Sequence, residues 1–130
     1  MPALKKDEVA QFDLVVPEPK ETFPGSGPYL STLKMTLTWM DRPDKNLIQK
    51  LGLSVTSETD SIEKPRQRRH GNNGDTNMTA TPDVYPDDIN NVVQIVWRDI
   101  PGGKYHVMIK CVRTLYPADE VRYGLAWTLE

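Results

Sequence analysis

Residues 87–111 read DDINNVVQIVWRDIPGGKYHVMIKC. Val, Ile, Trp and Tyr enrich both halves, and Pro101, Gly102 and Gly103 separate them. In the second half Tyr105, Val107, Ile109 and Cys111 share one parity, with Lys104, His106 and Lys110 on the other. A period of two marks a strand with one buried face. In the first half Val93, Ile95 and Trp97 form one face, while Val92 and Val96 keep the other partly apolar. Apolar groups on both faces suit a strand inside a sheet. Glycine supplies the backbone freedom a tight reversal needs, so the stretch predicts a β-hairpin.

The same period recurs outward from it. Phe12, Leu14 and Val16 alternate with Gln11, Asp13 and Val15 until Pro17 ends the run. Leu33, Met35, Leu37 and Trp39 face one way, with Lys34, Thr36 and Thr38 the other. Leu51, Leu53 and Val55 alternate with Gly52, Ser54 and Thr56. At the end of the sequence Val121, Tyr123, Leu125, Trp127 and Leu129 alternate with Arg122, Gly124, Ala126 and Thr128. No stretch holds a helical period. Residues 58–88 show no period and read as a long loop, with one short strand expected at 61–64 or 67–70. Residues 1–9 read as a flexible lead-in to one domain spanning 10–130. Amphipathic strands between Pro/Gly-rich loops bury their apolar faces against each other, which predicts an all-β, two-sheet β-sandwich of about eight strands. The expected core is Leu37, Trp39, Leu53, Val55, Ile95, Trp97, Val107, Ile109, Leu125 and Trp127. Each indole N–H is expected to find a partner at the core margin.

Composition narrows the function. A net charge of −2 lacks the basic excess that nucleic acid or an anionic membrane demands, so neither is expected as a partner. No apolar run approaches the ~20 residues of a transmembrane helix. Residues 1–10, MPALKKDEVA, have no apolar centre, and no signal peptide is expected in this chain. The single Cys111 excludes an internal disulfide.

Several segments, in order, carry a resemblance. They are Leu33-Lys34-Met35-Thr36-Leu37-Thr38-Trp39-Met40-Asp41, residues 47–55, His70-Gly71-Asn72-Asn73, residues 87–92, Gly103-Lys104-Tyr105-His106-Val107, and Tyr123-Gly124-Leu125-Ala126-Trp127. Together they resemble the C-terminal β-domain of subtilisin-like serine peptidases, over residues 33–130. The resemblance implies a jelly roll similar to the P domain of kexin-type proteases and to galactose-binding-like domains. It also implies an extracellular location as part of a larger protein, with the catalytic domain of the same polypeptide as partner. Where that family reads Asn-Asp-Leu-Asp-Leu, this chain reads Gln49-Lys50-Leu51-Gly52-Leu53. Both acids are lost and one is a lysine. Calcium takes hard oxygen ligands, usually carboxylates, so little or no calcium dependence is expected through those positions.

Candidate sites follow from residue chemistry. Asn72, Asn73, Asp75, Asp87 and Asp88 concentrate oxygen ligands in one loop region, the place where calcium would bind; such residues also simply make turns. No other cofactor is expected. Arg66, Arg68 and Arg69 form the basic cluster. As Arg-x-Arg-Arg it looks like a kexin-type processing site, or a patch for an acidic partner, or a solvated loop. Asn77-Met78-Thr79 is an N-glycosylation acceptor pattern. Tyr29, Tyr85 and Tyr116, in loops, are the candidates left for stacking a sugar, with Tyr85 and Tyr116 the ones on which glycan binding is expected to depend. His70 and His106 are the only histidines, and no Ser sits in a nucleophile turn, so no catalytic constellation is expected. The expected function is a noncatalytic accessory domain that stabilises a subtilisin-like catalytic domain or positions protein substrates. Its expected docking patch is Val92, Val96, Met108 and Ala126 among Gln94, His106 and Lys110. The alternative is a free-standing carbohydrate-binding module, meeting a glycan instead of a protein.

Overall fold

The computed structural model describes residues 2–18, 25, 30–40, 49–59, 61–62, 66–71, 91–114, 116 and 119–130. Among these residues eight strands appear in order: β1 (Ala3–Leu4), β2 (Val9–Val16), β3 (Ser31–Trp39), β4 (Lys50–Ser57), β5 (Arg68–His70), β6 (Val92–Ile100), β7 (Gly103–Arg113) and β8 (Val121–Leu129). Among the described residues there is no helix. The first sheet runs β1-β8-β3-β6 and the second β2-β7-β4-β5, every neighbouring pair antiparallel. The pairing is nested. β4 pairs with β5, β3 with β6, β2 with β7 and β1 with β8, while β3–β8 and β4–β7 complete the sheets. Only the link from β4 to β5 stays within one sheet; the others cross between sheets. The chain is an all-β sandwich, and both sheets contribute buried apolar side chains to one core.

Residues 87–111 are therefore not a hairpin. β6 lies in the first sheet and β7 in the second. Each strand has better partners than the other. β6 lies along β3 from Leu33 to Thr38, and β7 has β2 on one side and β4 on the other. The link is a corner rather than a reversal. Asp99 takes φ 56°, Ile100 is buried, Pro101 has no N–H to give a ladder, and Gly103 takes φ 140°. The Tyr105 hydroxyl ties the corner by donating to the Pro101 carbonyl at 2.5 Å. Trp97 and Tyr105 then meet across the core, ring centroids 5.4 Å apart at 80°, a contact made by facing sheets.

Residues 2–9 also depart from the expected flexible lead-in. Ala3 and Leu4 pair with Arg122 and Val121, and Leu4 is buried. The turn that follows is tied down on both sides. Glu8 Oε1 accepts from the Lys5 N–H at 2.6 Å, and the Asp7 N–H donates to the Cys111 carbonyl at 2.8 Å. Burial of Leu4 gives this segment a reason to order. The short strand expected within 58–88 is β5, at the second of its two expected places.

Eight of the ten expected core residues are buried. Leu125 is only half-buried, and Trp127 is 43% exposed. Trp127 does have the inward parity, standing opposite the buried Met35. But β1 pairs with β8 only at Val121 and Arg122, so the later part of β8 lies beyond that cover. Trp39 behaves as expected, its indole N–H donating to the Gln49 carbonyl at 3.0 Å.

Candidate functional site

The outer face of the second sheet gathers polar side chains from four strands. Tyr105, Val107 and Ile109 of β7 point into the core, so His106 and Met108 point out. β2 sets Asp13 opposite His106 and Gln11 opposite Met108. β4 sets Thr56 on the other side of His106, and β5 sets Arg68 opposite Thr56. The register thus builds a row, Asp13–His106–Thr56–Arg68, straight across the sheet. A groove of about 270 Å³ lies along it, walled also by Ser57, Glu58 and Arg66 and floored in part by Met108.

The row is held by charge. His106 Nδ1 lies 2.7 Å from Asp13 Oδ1, and Lys104 Nζ lies 3.4 Å from Asp13 Oδ2. The hydrogen bond with His106, and then Lys104, hold the Asp13 carboxyl below its ordinary value of 3.8. The native state then holds fewer protons on Asp13 than the unfolded chain does. This stabilisation is fully present above about pH 4 and disappears as pH falls through the folded-state value. Asp13→Asn is expected to lower the melting temperature at pH 6, and the gap to wild type is expected to narrow steadily as pH falls below the ordinary carboxylate range. A gap that does not narrow on acidification would show that the carboxylate charge is not what matters.

At the other end, Arg68 Nε donates to Thr56 Oγ1 at 2.8 Å, which fixes the plane of the guanidinium. Ser57, on the groove wall, has its hydroxyl committed: it accepts from the Gln67 N–H at 2.8 Å and donates to the Thr59 carbonyl at 3.3 Å. The Asp13–His106 pair therefore acts as a clamp between β2 and β7. Next along the sheet, His70 of β5 stands opposite Ser54, and both are buried. Burial and then the charge of Arg68 push the His70 pKa below its ordinary 6.5, so its imidazole is neutral at pH 7.

The sequence-derived candidates divide. Arg66 and Arg68 line the groove. Arg69, opposite Val55, points the other way: its guanidinium carbon lies 4.3 Å from the Trp97 ring centroid and the residue is 7% exposed. A cation over an indole face is a favourable buried contact. Within the Arg-x-Arg-Arg segment Arg66 is exposed and outside the strands, while Arg68 and Arg69 are strand residues of the folded domain. Tyr116 is 59% exposed, in a turn where its N–H donates to Asp119 Oδ2 at 3.0 Å, and does not line the groove. Tyr29, Asn72, Asn73, Asp75, Asn77, Tyr85, Asp87 and Asp88 lie outside the described residues. Among the described residues no group of three or more His, Cys, Asp and Glu side chains is placed to hold a metal. Lys50 and Gly52 stand opposite Arg113 and Lys110.

The expected docking patch also divides. Val92, Gln94, Val96 and Ala126 lie on the outer face of the first sheet, and His106, Met108 and Lys110 on that of the second. The two groups part because β6 and β7 belong to different sheets. The groove residues Gln11 and Thr56, and Asp13 beside His106, carry no sequence signal beyond being polar positions of amphipathic strands; only the register joins them. Comparison with models of known families and with curated proteins found no match for this chain.

Proposed function

We propose that the chain is a noncatalytic accessory domain of a subtilisin-like serine peptidase. It is a jelly roll of the P-domain-like kind that steadies the catalytic domain on the same polypeptide and helps position protein substrates. The reading places the protein outside the cell. The nested strand pairing supports the jelly roll. The observation that carries the accessory role is the outer face of the first sheet. There Thr36 lies between Gln94 and Ala126, Thr38 between Val92 and Gly124, and Lys34 between Val96 and Thr128. Val92 is 46% exposed and Ala126 is exposed. Thr, Val, Ala and Gly make up most of this surface, with Lys34, paired to Glu130 at 3.3 Å, and Gln94 among them, a shallow mixed face of the kind that packs against another domain. Such contacts bury about 600–1,500 Å², and a gain of one or two kcal/mol is a large share of a domain's ~5–15 kcal/mol stability.

The test expresses the catalytic domain with and without this chain, and with Ala126→Arg and Val92→Arg. The attached domain is expected to lengthen the thermal inactivation half-life, and either arginine to shorten it again. Equal half-lives and equal activity on whole-protein substrates in all four would sink the accessory role.

A further inference from the structure

We propose that β2 is the seam of a homodimer, its edge pairing antiparallel with β2 of a second copy so that the two second sheets become one. β2 stands at the margin of its sheet, with β7 on one side and, among the described residues, no strand on the other. The other margins are poor templates. β1 and β5 are two and three residues long, and β6 is bent at Asp99, which takes φ 56°. β2 runs eight residues in unbroken register with β7, and no proline, lysine or bulge blunts it. The Cys111 N–H donates to the Glu8 carbonyl at 3.0 Å, so by alternation along this ladder Ala10, Phe12, Leu14 and Val16 turn their N–H and C=O toward β7. Val9, Gln11, Asp13 and Val15 turn theirs to the edge.

The strand is complementary to itself. With a two-fold axis at Phe12, Val9 meets Val15 of the second copy, Gln11 meets Asp13 and Ala10 meets Leu14, each pair twice. Opposite residues on antiparallel strands share a face, and this register keeps the faces. Val9, Gln11, Asp13 and Val15 are exposed, while Ala10, Phe12 and Leu14 pack on the core side. Val9 and Val15, 39% and 68% exposed, cover each other, and the Gln11 amide donates to the Asp13 carboxylate. The Phe12 rings, only partly buried in one chain, meet across the axis as a non-hydrogen-bonded pair, the kind whose side chains lie closest. Charge selects this register. An axis at Asp13 would set two carboxylates face to face, and an axis at Gln11 would set Val15 against Asp7. Asp13 is already engaged by His106 and Lys104, which limits repulsion between the two copies. Such a seam is isologous and closes on itself, so it gives a dimer rather than a fibre.

An edge seam is smaller than a standard interface of about 1,600 Å², so sedimentation velocity on the full chain should pass from monomer at about 1 μM to dimer at about 200 μM. Gln11→Glu sets a like charge against Asp13 twice per dimer and is expected to weaken it about tenfold. Gln11→Lys sets an opposite charge there and is expected to tighten it. Gln11 is exposed on the outer face, so both substitutions spare the core. Val9→Cys and Val15→Cys chains, mixed and oxidised, should cross-link to each other faster than either does to itself, which reads the register. Cys111 is buried and does not compete. A chain that stays monomeric throughout would overturn the proposal, whether or not its edge captures a foreign extended peptide. So would a dimer indifferent to both Gln11 substitutions, or one broken instead by Ala126→Arg or Val92→Arg, which belongs to the outer face of the first sheet. The dimer is independent of the accessory role, which the half-life comparison above judges separately.

Discussion

Trp97→Ala is expected to cost about 3–5 kcal/mol, the range for a large aromatic removed from a core. Trp97 is 2% exposed and is the largest of the fully buried side chains. Its loss has three parts. The transfer free energy and the cavity come first. The edge-on contact with Tyr105 goes next, worth roughly 0.5–1.5 kcal/mol beyond its area. Last, Arg69 loses the ring its guanidinium covers, while it stays a buried cation. Against a typical stability of ~5–15 kcal/mol this leaves a domain near its unfolding threshold. Urea unfolding should show the midpoint falling with an unchanged slope. Trp97→Phe keeps a ring for both neighbours and is expected to cost less. In the pair Trp97→Ala with Arg69→Met the losses should fall short of the sum, since the cation–ring contact is already gone after the first change. Strict additivity, or a Trp97→Ala cost below about 1 kcal/mol, would refute this account of the core.

The parts of this fold that were legible in the sequence are those set by local chemistry. Period two in Leu33–Met35–Leu37–Trp39 and in Tyr105–Val107–Ile109–Cys111 reports which face is buried, and all eight residues are buried. Local chemistry does not report which strand lies beside which. Pro101-Gly102-Gly103 has the composition of a tight reversal and of a corner alike. What decides between them is the pairing of β3 with β6 and of β2 and β4 with β7, partners far away in sequence. Burial also depends on neighbours. Gly52 and Ser54 have the outward parity of β4 yet are buried, and Trp127 has the inward parity of β8 yet is half-open. The groove was the least legible feature. Arg66 and Arg68 stood out as a basic cluster, but Asp13 and His106 are 93 positions apart and meet only through the β2–β7 register. Cys111 was legible as a buried apolar position, and burial raises its thiol pKa to about 11, so it stays protonated and unreactive at neutral pH.

Gly71→Ala is expected to cost about 2–3 kcal/mol, at the upper part of the overpacking range. On backbone entropy alone the same change would stabilise by roughly 0.4–1 kcal/mol, because alanine restricts the unfolded chain and Gly71 is not in the left-handed region. Sterics reverse the sign. A Cβ at Gly71 would stand 2.8 Å from Val93 Cβ and 3.1 Å from Val93 Cγ2. Real carbon atoms in contact keep about 3.5–4.0 Å. Neither side can withdraw cheaply. The Gly71 N–H donates to the Leu53 carbonyl at 3.0 Å, and Val93 is fixed opposite Leu37 in the first sheet. Gly71, just past β5, therefore packs directly on Val93 of β6, and the two sheets meet there without room for a methyl group. Adding Val93→Ala removes Cγ2 but leaves the Cβ at 2.8 Å, so the double variant should not recover the stability lost by Gly71→Ala. Melting temperature and urea midpoint read this directly. A Gly71→Ala protein as stable as wild type, or a double variant restored to it, would show that the sheets do not approach this closely.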